Sequence, residues 1–315
     1  MTDAPSVPFL HNLGRPRVRT VLERAEWFVW LSARPLEQHR FAHHFLGGGA
    51  DAVETALAAY VRPDGGYAYA LEADVRGPSS QPLAAAAALN VLDEIGRCDA
   101  ARTARLRSHL PSLTSPDGGL PTLHPGIAGY PSSAVLTVRP NPPGSLLATG
   151  VIVGRLHRNG IEDPWLDAAT EFCWQAVDGL TSSHPYEVEA ALAFLDGVPD
   201  RGRAAKSAQR LGELVRDQRL VVTDPARAEE FPVHPAYAAG EYHYVTDVLR
   251  SPRSLAREWF TEQEVARCLD HLAAVQQEDG GWPVLWRLWA PGSAAEWRPI
   301  VTLDALRTLR AHGRL

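Results

Sequence analysis

Apolar residues along this chain recur mostly at intervals of three and four, the spacing of one face of a helix. Val18, Val21, Leu22, Ala25, Phe28, Val29 and Leu31 trace the first such face and predict a helix over residues 18–32. The same pattern predicts helices over 36–46, 51–61, 83–95, 101–110, 145–158, 165–177, 184–195, 203–217, 261–277 and 300–311. Thr261 with Glu264 three residues on has the form of a capping box. Few runs alternate as strands do. Residues 1–16 are rich in Pro and Gly and read as an irregular lead-in, and the loop from 121 to 144 is long enough to expect a functional role.

Between the helices a tetrad recurs. Asp64, Gly65, Gly66 and Tyr67 form one copy; Asp117 to Leu120 and Asp279 to Trp282 are the other full copies. The gaps are 53 and 162 residues, and the second is three times 54. Asp178, Gly179 and Leu180 form a degenerate copy, and a fifth is missing where Val221 to Asp224 stand. An Asp-Gly-Gly turn suits a helix end, because glycine takes the left-handed conformation and aspartate bonds nearby backbone N–H groups. The repeating unit is therefore a helix, a glycine turn, an extended loop and a second helix. Units that cannot bury their own apolar face must stack. Both terminal helices carry apolar faces, which favours a closed ring over an open solenoid. The expectation is an all-α fold, an α/α toroid of about six helical hairpins, with residues 1–315 as one domain.

The last copy, Gln276-Gln277-Glu278-Asp279-Gly280-Gly281-Trp282, resembles the Gln–Trp repeat of squalene–hopene and terpene cyclases and of the related protein prenyltransferase subunits. Two blocks, 63–82 and 289–313, look more narrowly like a bacterial branch of that superfamily. The resemblance implies inner and outer rings of helices around a central cavity, and an enzyme acting on an apolar or isoprenoid small molecule. The chain also departs from those families. Class II cyclases protonate their substrate with a DxDD aspartate, and no DxDD occurs here; Glu72 and Asp74 are the nearest acids in a comparable loop. None of Cys98, Cys173 and Cys268 has an aspartate two residues before it, so the prenyltransferase zinc site does not carry over. DDxxD motifs are absent as well.

Composition narrows the partners. The net charge is −6 without a basic block, which argues against a nucleic-acid surface. Of 31 basic residues only Lys206 is lysine. Three dispersed cysteines form neither a disulfide framework nor a zinc knuckle and fit a reducing cytoplasm. The longest apolar run, 83–89, is too short to span a bilayer, which needs roughly 20 residues. A small-molecule substrate is the expected partner, and nothing in the sequence excludes a homo-oligomer.

Candidate chemistry clusters in the loops. Glu72 and Asp74 are the expected catalytic acids, with Arg76, Tyr67 and Tyr69 beside them. Acids in a low-dielectric funnel have raised pKa values and serve as general acid or base. Trp282, Trp286, Trp289 and Trp297, with Glu296 and Arg298, place four of nine tryptophans within 16 residues; their faces suit a carbocation or a sugar ring. His234, Tyr237, Tyr242 and His243 occupy the loop where the fifth tetrad is missing. His184 and Tyr186 hold the matching position one hairpin earlier, and His124 lies two earlier. All are candidate substrate contacts. No resident metal or other cofactor is expected, and Mg2+ enters only with a diphosphate substrate. A carbohydrate-active enzyme on the same toroid, or a non-catalytic binding scaffold, are the alternatives.

Overall fold

The computed structural model describes residues 20–234 and 237–315. The expected lead-in, and the start of the first helix at residue 18, lie outside them. Among the described residues, twelve α-helices follow one another: α1 Val21–Ser32, α2 Pro35–Phe45, α3 Ala50–Ala58, α4 Pro82–Glu94, α5 Ala100–Leu113, α6 Leu146–Arg158, α7 Pro164–Asp178, α8 Pro185–Gly197, α9 Arg201–Asp217, α10 Val245–Val248, α11 Glu262–Ala274 and α12 Ser293–Ala311. Among the same residues the only β-pairing is three isolated bridges. The fold is an α/α toroid. Even-numbered helices form the inner ring and odd-numbered helices the outer one. Small residues let the inner helices approach closely: a Cβ on Gly154 of α6 would lie 2.1 Å from the Ala193 carbonyl of α8.

The three full tetrads fold alike. In each, the aspartate accepts from the N–H of the second glycine, at 2.9 Å for Asp64, 3.1 Å for Asp117 and 3.1 Å for Asp279. The first glycine has a positive φ of 95°, 88° and 95° at Gly65, Gly118 and Gly280, the left-handed region that disfavours a side chain. Each turn docks on the next outer helix. Gly65 lies against Arg105 of α5, and Gly118 and Gly119 against Ala168 and Phe172 of α7. The last turn docks on the first helix: a Cβ on Gly280 would sit 2.1 Å from the Arg24 carbonyl of α1. Gln276 Nε2 also donates to the Val21 carbonyl at 2.9 Å, and α12 packs on α1 and α2. The ring closes through the contact that joins its earlier members.

The expected helices 51–61, 101–110 and 261–277 end three residues from their observed ends at 58, 113 and 274, and two elements differ more. The closing helix starts at Ser293, seven residues before the expected 300, and so carries Glu296, Trp297 and Arg298 on its first turns. The helix runs through Pro299, its seventh residue, where the missing N–H leaves the Ala295 carbonyl without its usual intrahelical donor. The inner member of the fifth hairpin is only the single turn α10, whose preceding loop doubles back so that Val222 N–H donates to the His243 carbonyl at 2.7 Å.

The inside of the inner ring is charged. Glu94, at the end of α4, accepts from Arg40 of α2 at 2.5 Å and 3.0 Å and from Arg307 of α12 at 2.6 Å. Arg250 reaches Asp304 of α12 at 2.6 Å and Glu189 of α8 at 3.1 Å. Helices two places apart in the ring are thus bridged across its interior. With Arg34–Glu37 at 2.8 Å, Glu37–Arg40 at 3.8 Å, Arg307–Asp304 at 3.9 Å and His243–Glu189 at 3.6 Å, alternating charges run without interruption from Arg34 to His243. Burial would raise the Glu94 carboxyl, but Arg40, His44 and Arg307 hold it far below the ordinary carboxylate range.

Gly280→Ala should therefore cost more than Gly47→Ala, although both glycines have positive φ. Gly47 has no atom within 4 Å of its added Cβ. The first substitution adds a backbone clash to the conformational strain, for about 2–4 kcal/mol against about 1–2 kcal/mol. Denaturant midpoints check this; equal losses would mean that docking on α1 contributes nothing. Glu94→Gln should destabilise by about 3–5 kcal/mol, since it strands buried Arg40 and takes a partner from half-buried Arg307. A lowered folded pKa gives stability that is present above the unfolded value of about 4.3 and lost as pH falls. The variant should show less loss of Tm on acidification than the wild type.

Candidate active site

The loop between α3 and α4 is shaped by strain that its neighbours hold in place. After the tetrad, Tyr69 and Ala70 both adopt left-handed φ, 60° and 58°, rare for residues with a side chain. Tyr69 N–H donates to the Gly77 carbonyl at 3.1 Å, and Arg34 of α2 donates to the Ala70 carbonyl at 2.6 Å. The loop from 114 to 145 braces the other side: Arg76 N–H donates to the Pro131 carbonyl at 2.9 Å and Ser133 N–H to the Asp74 carbonyl at 2.8 Å. Buried Gln81 ties the two loops by bonds to the backbone of His124.

The turn thus formed presents Asp74 and Arg76 to the last hairpin, with Glu72 beside Asp74. Both the Trp289 and Trp297 indole N–H groups donate to Asp74 Oδ1, at 2.9 Å and 3.0 Å. Arg76 makes a two-pronged pair with Glu296, at 2.6 Å and 2.5 Å, and lies over the Trp289 ring 5.7 Å from its centroid. Trp286 meets Trp297 edge-on at 4.9 Å. Six of the expected residues, Asp74, Arg76, Trp286, Trp289, Glu296 and Trp297, are in direct contact across the ring's seam, with Glu72 two residues from Asp74.

The two acids stand in different environments. Glu72 is half-buried. Burial, joined by the charge of Asp74, pushes its carboxyl up to about 8, while the Asp74 N–H at 3.4 Å and the charge of Arg34 pull the other way. Burial also raises Asp74, but the two indole donors and Arg76 offset part of that and favour its carboxylate.

A second group gathers at the start of α8 and the loop before α10. His184 Nδ1 and the Tyr237 hydroxyl are 2.7 Å apart, and Tyr186 donates to Glu241 at 3.0 Å. The rings of His184, His234 and Tyr237 pack together, and Tyr186 stands edge-on to His243 at 4.5 Å. Tyr242 joins His234, Tyr237 and His243 around a cavity of about 200 Å3, which His184 and Tyr186 do not line. Burial lowers the His184 pKa. For His243 burial works the same way, but Glu189 outweighs it and the pKa is raised.

The remaining candidates lie elsewhere. Tyr67 and Trp282 are buried in the main core, and Trp282 donates its indole N–H to the Leu272 carbonyl at 2.7 Å. Tyr69 is exposed beneath Arg62. His124 caps a short 3-10 turn through Gly126 N–H. Arg298 grips the last tetrad, donating to Asp279 at 2.6 Å and to Gln277 at 2.6 Å. Arg34, Glu37 and the interior ion chain escape a reading of loops; the available signal was charge within otherwise apolar helices, Glu94 above all. The three cysteines are buried and free. Among the described residues no three His, Cys, Asp or Glu side chains are grouped to hold a metal ion, and no helix is long and apolar enough to cross a membrane.

No family model matches the chain, and no curated protein matches it. Among solved structures it is similar to the type II terpene cyclase MstE from Scytonema. The apo form superposes with a TM-score of 0.53 at 13% identity, covering 94% of this chain and 88% of that one. A variant holding the product merosterolic acid A gives 0.53 at 13% over 94% and 87%, and another holding the substrate geranylgeranyl dihydroxybenzoate gives 0.52 at 12% over 94% and 87%. At this identity the likeness is one of fold.

Proposed function

We propose that the protein is a terpene cyclase-like enzyme that starts its reaction by protonating an apolar, isoprenoid-type small molecule at the Glu72–Asp74 mouth. One observation carries the reading: Asp74 accepts from two indole N–H groups beside a glutamate whose carboxyl is pushed up to about 8. Burial raises both acids, but only Asp74 has side-chain donors aimed at its carboxylate, and that difference divides them into proton donor and charge stabiliser. Glu72 is protonated at neutral pH and donates. Asp74, as carboxylate, and the faces of Trp286, Trp289 and Trp297 stabilise the positive charge that develops. Loss of a proton from the cation to Glu72 restores the acid, so the product is an isomer of the substrate. The shared fold with MstE, which binds geranylgeranyl dihydroxybenzoate, supports this substrate class.

The charged interior favours a second reading, a polar substrate such as a sugar, with the same acid pair flanking a glycosidic bond. Incubation with geranylgeranyl-bearing phenols and polyprenols on one side, and aryl glycosides on the other, separates the two. Mass spectrometry should find a cyclised product of unchanged mass from the first set. Glu72→Gln should lower that rate at least about 100-fold. Activity should fall as pH rises through about 8, where the donor loses its proton. A wild-type rate in the Gln variant sinks the assignment of Glu72, and release of aryl alcohol from glycosides favours the sugar reading. Stability gives an independent check. A raised folded pKa means a contribution present below about 4.3 and lost as pH climbs towards the folded value. Glu72→Gln should therefore be more stable than wild type at alkaline pH.

A further inference from the structure

We infer that the cavity beside His243 is a second ligand site, separate from the acid mouth, that takes a small neutral ring carrying a hydroxyl group. The cavity of about 200 Å3 lies between the start of α8 and the loop before α10. It is smaller than the roughly 300–1,000 Å3 of drug-sized pockets, which limits the occupant to about one ring. Pro185, Leu220, Val222 and Phe231 give it apolar walls, and Tyr237 and Tyr242 add aromatic ones. Such walls suit a flat or cyclic apolar body.

One polar atom there is unanswered. His243 is 8% exposed and lines the cavity, and its Nε2 is buried without a hydrogen-bond partner. Buried polar groups of this kind are rare and costly, and a ligand atom that pairs with one recovers that cost. The other ring nitrogen, Nδ1, faces Glu189 at 3.6 Å. With the Nδ1 proton so directed, neutral His243 offers Nε2 as an acceptor; charged His243 offers it as a donor. A hydroxyl group both donates and accepts and so matches either state.

Charge selects against ions. Glu189, Glu241 and Asp247 all act on His243, which disfavours an anionic ligand. The Glu241 oxygens each already accept a hydrogen bond, from the Tyr186 hydroxyl at 3.0 Å and the Ala238 N–H at 2.9 Å, which weakens their pull on a cation. Arg219, stacked on Phe231 at 4.6 Å, opposes a cation as well.

The test uses the full chain with labelled histidine and tryptophan side chains, titrated with phenol, cyclohexanol and benzoate and followed by NMR. Phenol and cyclohexanol should shift the His243 ring signals saturably while the Trp289 and Trp297 indole signals stay in place. Benzoate should bind at least about tenfold more weakly than phenol, and His243→Phe should weaken phenol by about tenfold. His243→Asn, which keeps a polar group, guards against loss of folding and should retain part of the affinity. Unsaturable shifts, shifts at the indoles in place of His243, benzoate binding equal to phenol, or undiminished binding in His243→Phe would each overturn the site. None of these outcomes bears on whether Glu72 is a proton donor.

Discussion

Everything in this molecule depends on how closely a glycine turn approaches the next outer helix. The first glycine of the first and last tetrads presses its α-carbon against a neighbouring backbone where no side chain fits, and Gly118 of the second makes a looser contact. Because the last turn seats on α1 as the first seats on α5, the final hairpin becomes the neighbour of the first. That contact also assembles the proposed site. Asp74 comes from the second hairpin and its two indole donors from the last, more than 200 residues away along the chain. An open solenoid would leave this carboxylate and both indoles on separate surfaces.

Closure also creates an interior, and the sequence fills it with charge rather than with apolar bulk. Removing an ion pair from water gives little net stability, because desolvation offsets the attraction. The alternating chain from Arg34 to His243 is better understood as specification. Each of its guanidinium groups has a carboxylate partner on another turn or helix, so a shifted helix would strand charges that are buried at Arg40 and Glu94 and half-buried further along. The same charges make the deep interior a poor place for an apolar molecule. They confine the proposed chemistry to the end of the ring where the loops preceding the inner helices meet.

How much of this could be read from the residues divides along physical lines. Periodic apolar positions and repeated glycines gave the helices and the ring, since both are local signals that recur. Asp74, Arg76, Trp289, Trp297 and Glu296 were legible as chemistry-bearing types in two loops. Which acid met which donor was not, because that depends on closure. Trp282 and Arg298 show the opposite limit. Their residue types suit a site, yet the tetrad beside them uses Trp282 as core and Arg298 as a clamp on Asp279. The interior ions were hidden because a charged residue in a helix reads as solvated unless the far side of the ring is known.

The pairing at the mouth has a chemical consequence. A carboxyl pushed up to about 8 is always loaded at neutral pH, but it is a weak acid. Glu72 could not protonate an unactivated alkene on its own strength. The driving force must come from what receives the charge. Burial works against a carboxylate at Asp74, and two indole N–H groups converging on Oδ1 are what favour it there. Those same indoles turn their ring systems to the surroundings of the acid, where Arg76 already lies over one of them. A cation formed at this point gains an anion and aromatic faces together. In the proposed reaction the tryptophans would serve twice: their edges favour the charge on Asp74, and their faces would stabilise the charge that Asp74 opposes.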